Sequence, residues 1–423
     1  MMSRLPTLAW LALRNLGREL RRASLTAAAM AIGLALLVVS RTLSDGVHED
    51  WIDSGVRLGS GHVVFNAPGY RDSESLEDRL SAAQVASALA ATGIGATGIG
   101  ALPGPVLTSV RVSARGLASS PDGAIPAWIM GVDPPDELAF SRLGTDVREG
   151  RYLEEGDRLH AFIGQGMALR LGLRIGSRMV LTAQAASGDI EGQLVRVVGM
   201  FRTGVSDMDE VLVHIPLGTA RDWLGVEGAT SVATLLPHSA FTGPVHEAAA
   251  AAVQSSAVEV TAWEESTPEL YSAVRIDDAG DWVFHLILFA IVALAILNAV
   301  FMSVLHRKRE LGLLRALGLS SRETGLVVFL EGVLITAASG VIGVTLGFAL
   351  VWVFFRNGLD LTGLMPADLT FAGIVFDPIM YPVIEVRHLA QSLFFIAVIG
   401  VSASVFPAWQ AAALDPAESV KVE

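Results

Sequence analysis

Few residues in this chain have chemistry to offer, and their spacing does not suit catalysis. A P-loop that hydrolyses a nucleotide needs a lysine in G-x-x-x-x-G-K-[ST], because its ammonium reaches the phosphates. The two lysines of the 423-residue chain are Lys308, which follows Arg307, and Lys421, which follows Val420, so neither belongs to a P-loop. Gly93, Gly95 and Gly98 match G-x-G-x-x-G. A dinucleotide site, however, needs a strand before that motif and a helix after it. Here an Ala-rich helical stretch precedes, and Pro103 and Pro105 follow, so the segment reads as a loop. His246-Glu247 and His48-Glu49 each begin H-E-x-x-H, but Ala250 and Ile52 stand where the second histidine belongs. The other histidines are scattered and no G-x-S-x-G elbow is present, so spacing offers neither a metal site nor a catalytic site. Unpaired acids are all that a hydrolase reading has, and they read as solvated surface.

The elements that carry these residues are largely apolar. The chain is 52% hydrophobic, with a mean hydropathy of +0.51, which requires part of it to face lipid. Its net charge of −13 is segregated. Residues 1–24 carry five Arg against one Glu, and 306–323 hold Arg307, Lys308, Arg309, Arg315 and Arg322 against Glu310 and Glu323. Residues 45–281 carry 32 acids against 16 Arg and no Lys. The basic stretches lack interleaved aromatics, so membrane lipid and topology explain them and nucleic acid does not. With no cysteine, an outer domain must be held by its own core.

Four runs suffice to span a bilayer, at 25–44, 282–305, 325–356 and 389–413. Arg41 is able to snorkel at the outer end of the first. The basic stretch before that run is long for a signal peptide and no A-x-A site follows, so the run reads as a retained span. The positive-inside rule places 1–24, 306–324 and 414–423 in the cytoplasm, and 45–281 and 357–388 outside. Residues 1–24 have an apolar helical face suited to the inner membrane surface. The outer loop 357–388, with Phe371, Phe376 and Tyr381, reads as a cargo-facing rim or as packing beneath the large domain. Within 45–281, the parts 46–140 and 229–275 read as one α+β subdomain. A β-rich insertion at 141–228 interrupts it.

Small residues recur four apart at Ala27, Ala31 and Ala35 in the first span, and at Ser339, Gly343 and Gly347 in the third. That spacing lets helix backbones approach, either between subunits or within one bundle. Asn298 is expected to face protein, and Glu331 to face protein or reach the headgroups. The segment 306–324 (HRKRELGLLRALGLSSRET) has an apolar side at Leu311, Leu314, Ala316 and Leu317. Gly318, Ser320 and Ser321 are placed to stop one helix and cap the next. Such a helix is either a lever between two spans or a loop whose charge sets topology.

The run 298–318 (NAVFMSVLHRKRELGLLRALG) resembles the signature of FtsX-like permeases, a group that includes the MacB-type exporters and the lipoprotein-releasing LolC and LolE permeases. Glu331-Gly332 resembles the start of that family's third span, and 407–420 (PAWQAAALDPAESV) its closing motif. The resemblance implies an α-helical membrane protein with four transmembrane helices plus a large periplasmic α+β domain, porter-like with an inserted β-rich, sabre-like subdomain. It implies a bacterial inner-membrane permease subunit of an ABC transporter that extracts lipoproteins or another amphipathic substrate by mechanotransmission. ATP and Mg would sit on a separate ABC ATPase subunit and no cofactor on this chain. A second permease would complete a homo- or heterodimer, with a periplasmic chaperone or a lipoprotein as further partner. Arg309, Glu310, Gly312, Arg315, Ala316 and Gly318 would be the ATPase-coupling residues. A signalling permease that moves a periplasmic partner without passing a substrate is the alternative.

Overall fold

The computed structural model describes residues 10–14, 20–98, 102, 104–254, 257–363, 370–371, 374–375 and 379–414. They fall into two compact units, which divide near Val47 and Ile276. Of the expected surface helix 1–24, residues 10–14 and those from 20 onward are helical, and the rest lies outside the described residues.

Among the described residues, four helices are long and apolar enough to cross a membrane. They are Leu20–Leu58, Pro268–His306, Ser321–Leu350 and Val386–Ala413, the third ending in a π-turn over Val351–Phe355. The first two have 39 residues each, about 58 Å at 1.5 Å per residue, against about 30 Å of hydrocarbon. Their apolar runs stop near 44 and 282, as expected from sequence, but the helices do not. Charged residues such as Asp45, Asp53, Asp277 and Asp281 carry them onward, because backbone hydrogen bonding needs no apolar side chain. Met30, Leu34, Phe289, Val292, Ile296, Val328 and Ile396 pack together as the core of the first unit.

Arg41 does not snorkel. Its guanidinium lies 3.2 Å from both Asp45 and Asp281, and the Ser44 hydroxyl donates to the same Asp281. His388, at the start of the fourth helix, lies 2.8 Å from Asp45. An arginine with two carboxylates in reach has no need to seek headgroups. In the loop 357–388 the described residues form two short ladders, Leu359–Asp360 with Ile379–Met380 and Thr370–Phe371 with Ile374–Val375. Tyr381 is exposed, and Phe376 lies outside the described residues.

The second unit is built on ten strands: β1 (Val63–Asn66), β2 (Leu107–Ser120), β3 (Gly123–Val132), β4 (Val147–Gly150), β5 (His160–Gly164), β6 (Arg178–Gln184), β7 (Ile190–Phe201), β8 (Leu212–Pro216), β9 (Ser231–Leu235) and β10 (Glu259–Ala262). The order β10-β1-β9-β2 makes an antiparallel sheet. Helices Ala82–Gly98 and Thr242–Val253 contribute Val85, Ala88, Val245 and Ala249 to one core with Val63, Phe65 and Val232. Strands β2, β3, β8, β5, β7 and β6 then close on themselves, because β6 pairs with both β7 and β2. Closure leaves this barrel no free edge. Met179, Leu181 and Ala183 alternate inward on β6 and meet Val195, Val197, Ile129 and Ile163 inside.

Two expectations change here. The β-rich part does not begin at 141. β2 is 14 residues long, pairs with β9 at Leu107–Arg111 and with β6 at Gly116–Ser119, and so serves sheet and barrel in turn. Gly93 to Gly98, expected as a loop, form the last turns of a helix. No strand runs into them, which removes the dinucleotide reading for a second reason.

His62 and His214 are buried in this unit, and burial lowers each to about 4 from 6.5. The Nδ1 of His62 accepts from the Leu236 amide at 3.1 Å, and His214 meets the Tyr152 hydroxyl at 3.1 Å. Both are depressed, so the unfolded chain takes up protons that the folded chain refuses between those values. Stability is therefore fully present above pH 6.5 and falls towards pH 4, by about 1.4 kcal/mol per unit per histidine. The melting temperature of the detergent-solubilised chain should drop across that window, and His62→Gln with His214→Gln should flatten the drop. A flat profile in the native chain would contradict the assignment.

Candidate coupling site

The helix Pro268–His306 and the helix Ser321–Leu350 are joined by a third, Lys308–Ala316. Arg307 leaves helical geometry at the first joint, with φ −108° and ψ 16°. At the second joint Gly318 has φ +109°, a left-handed geometry that glycine adopts without a Cβ penalty. Its amide bonds the Arg315 carbonyl at 3.0 Å, and the Leu319 amide bonds that of Leu314 at 3.1 Å. The next helix starts in a capping box. The Ser320 hydroxyl accepts from the Glu323 amide at 3.3 Å, and the Glu323 carboxylate accepts from the Ser320 amide at 2.9 Å. The Arg315 guanidinium donates to the Ser321 hydroxyl at 2.7 Å and fastens the two helices across the turn.

Arg307 fixes the linking helix to the bundle. Its Nη1 donates to both oxygens of Glu331, at 3.0 and 2.9 Å, and its Nε donates to Glu310 at 3.1 Å. The Arg307 and Glu331 side chains are only 9% and 7% exposed, so Glu331 does not reach towards headgroups. Residue type and spacing alone do not pair them. The signal that could have done so is an acid inside an apolar span with a basic cluster one turn beyond the neighbouring span's end.

The faces of the linking helix then follow from its 100° step per residue. Leu311 and Gly312 point inward, and Leu311 joins Val304, Val328 and Ala411 in the core. Arg315 is half-buried. Arg309, Glu310, Ala316 and Gly318 are exposed. Leu313 and Leu317, absent from the sequence-based set, are 56% and 75% exposed and lie on the same face as Arg309 and Ala316. Ala316 and Leu317 thus do not share the buried side of Leu311, although the sequence groups them on one apolar side. The outcome is an apolar patch with a basic margin.

The small residues bring helices of one chain together. A Cβ on Gly343 would stand 2.6 Å from Leu34 Cβ and 2.8 Å from the Ala31 carbonyl; one on Gly347 would stand 2.7 Å from Val38 Cβ and 3.1 Å from the Ala35 carbonyl. Ser339 is fully buried and Ala27 half-buried. Gly325 meets Ala408 and Ala412, and Gly332 meets Ser404, so the third helix packs closely on the first and the fourth. Asn298 is exposed on the second helix rather than turned into the bundle.

The profile of the FtsX-like permease C-terminal family matches residues 282–416, and that of the MacB-like periplasmic core domain matches 23–259. The lipoprotein-releasing system transmembrane protein LolC of Xylella fastidiosa is 24% identical over 312 residues, 70% of this chain and 73% of that protein. The LolC protein of Neisseria meningitidis is 21% identical over 320 residues, 74% and 77%. The ABC transporter permease YvrN of Bacillus subtilis is 21% identical over 431 residues, 95% and 96%. Among solved structures, the extracellular domain of YknZ from Gram-positive bacteria aligns with a TM-score of 0.34 at 13% identity, covering 48% of this chain and 100% of that one.

Removing one partner of the Arg307–Glu331 pair strands the other charge. Glu331→Gln or Arg307→Met should each destabilise the detergent-solubilised chain by about 3–5 kcal/mol, and Arg307→Met with Glu331→Leu by clearly less than the sum. Additive losses in a thermal double-mutant cycle would show that the two do not act as a pair. Four apolar helices, the helix set between the second and third, and both family profiles agree: this chain belongs to the ABC transporter permeases of the FtsX, MacB and LolC type.

Proposed function

We propose that the chain is the membrane subunit of a two-component ABC transporter, and that a separate ATPase grips the linking helix Lys308–Ala316. The observation that carries this reading is the exposed patch of Leu313, Ala316 and Leu317 beside Arg309, on a helix held to the bundle by a buried ion pair. An apolar patch with a charged margin suits a protein partner. The anchor means that a partner pulling on the patch also pulls on the second and third spans. Gly312, Arg315 and Gly318 shape and seat the helix, and Arg309, Glu310 and Ala316 meet the partner.

ATP and Mg act on the ATPase chain. The first two long helices run unbroken past the apolar stretches, and in this reading they convey the motion to the periplasmic domain by mechanotransmission. A second permease, identical or not, completes the assembly. Asn298 on an exposed helix face supports a partner helix there, because an amide facing hydrocarbon is costly. The substrate is a lipoprotein or another amphipathic molecule taken from the outer leaflet of a bacterial inner membrane, with a periplasmic chaperone as its acceptor. The names of the LolC relatives support that choice.

Leu317→Asp and Arg309→Glu lie on exposed positions and should leave the melting temperature within about 1 °C, while co-purification with the ATPase falls at least tenfold. Unchanged co-purification would move the docking site elsewhere. Depletion of the protein should leave lipoproteins in the inner membrane on fractionation. Normal lipoprotein sorting with a defect in cell-wall cleavage would instead favour the signalling alternative.

A further inference from the structure

The second unit holds a cavity of about 360 Å³ that no part of the coupling reading uses. It lies on the sheet face opposite the two packed helices. Val63, Phe65 and Val232 turn towards those helices, while their neighbours Val64, Asn66 and Ser231 line the cavity. Short polar side chains on the uncovered face of a sheet leave room where a core would fill it.

A flap closes part of this space. It is the single helical turn Tyr70–Ser73, entered at Gly69 (φ 82°) and left at Glu74 (φ 46°). A glutamate in the left-handed region is strained, because its Cβ crowds the backbone. Its amide closes the turn on the Tyr70 carbonyl at 2.7 Å, and its carboxylate is held by Arg115: Nε donates to one oxygen at 2.8 Å and Nη2 to the other at 3.0 Å. Arg115 also lies 4.8 Å over the Trp128 ring, which fixes the plane of the guanidinium. Both partners are about half exposed, so the latch exchanges readily with solvent and solutes. Arg111, at the cavity floor, is different. Its Nε and Nη2 donate to buried Glu137 at 2.9 and 2.7 Å, and its Nη1 donates to the Gly59 carbonyl, so each of its three nitrogens already has an acceptor.

We propose that this cavity binds a small carboxylic acid of acetyl-amino-acid size, with Arg115 as the receptor for its carboxylate and Glu74 as the competitor built into the chain. The present occupant of the guanidinium fork is a planar carboxylate, and the fork and the ring beneath it match that shape. A ligand carboxylate displaces the Glu74 carboxylate, and Tyr70, Ser113 and Ser231 line the space left for the remainder of the ligand. The site is independent of the docking patch on the linking helix.

The test is saturation-transfer NMR with N-acetyl-L-glutamate on the full chain in nanodiscs. The native chain should give a saturable signal that the diamide of N-acetyl-L-glutamate, which has no carboxylate, does not compete away. Glu74→Gln removes the competitor and should tighten binding about three- to fivefold, while Arg115→Gln should abolish it. Both positions are solvent-accessible, and unchanged melting curves confirm that the variants fold. No signal in either the native or the Glu74→Gln chain would overturn the proposal. So would binding indifferent to Arg115→Gln. Equal displacement by inorganic phosphate would overturn the carboxylate assignment in favour of a general anion site.

Discussion

Arg307 and Glu331 face each other at the inner end of an apolar helix bundle, where water offers little to either charge. An isolated ion there would cost several kcal/mol to keep, so each depends on the other. The bond is made at the joint where the second long helix ends and the linking helix begins. It sets which side of the linking helix turns inward, since Leu311 and Gly312 follow one turn later. It also leaves Glu310 and the patch around Leu317 facing out. The Gly318 turn and the Ser320 capping box then return the chain to the third span, which carries Glu331.

The third helix is the element on which the others close. Glycine replaces bulk at its contacts with the first and fourth helices, so backbones approach and dispersion acts over a long seam. In lipid this matters more than apolar surface, because hydrocarbon chains compete equally for leucine. At the outer end the attachments are polar instead, with Arg41, Asp45, Asp281 and His388 tying together the first, second and fourth helices. Each end of the bundle therefore has its own ionic fastening, with a packed apolar stretch between.

Much of this was legible in the sequence. Apolar run length located the four helices that are long enough to span a membrane. Gly318 and Ser320 announced a helix end and a cap by residue type alone. The six positions proposed for coupling came from the resemblance to the family motif, and four of them, Arg309, Glu310, Ala316 and Gly318, are exposed. Hydropathy could not show that the first two helices continue past their apolar runs, because a charged helix and a charged loop look alike to it. Nor could local patterning show that β2 serves two sheets, since that depends on partners far away in the chain, at β6 and β9. Glu331 and Arg307 were each visible, but their bond was not, because pairing across 24 residues is a tertiary fact.

The Arg307–Glu331 bond makes the linking helix and the third span one body. The chain has no cysteine, so spin labels can be placed cleanly at Ala316→Cys on the linking helix and Val341→Cys on the third span. The distance between them, read by double electron–electron resonance in nanodiscs, should be a single narrow distribution in the otherwise native chain and a broad or split one after Glu331→Gln. A distribution that stays equally narrow without the ion pair would contradict the claim.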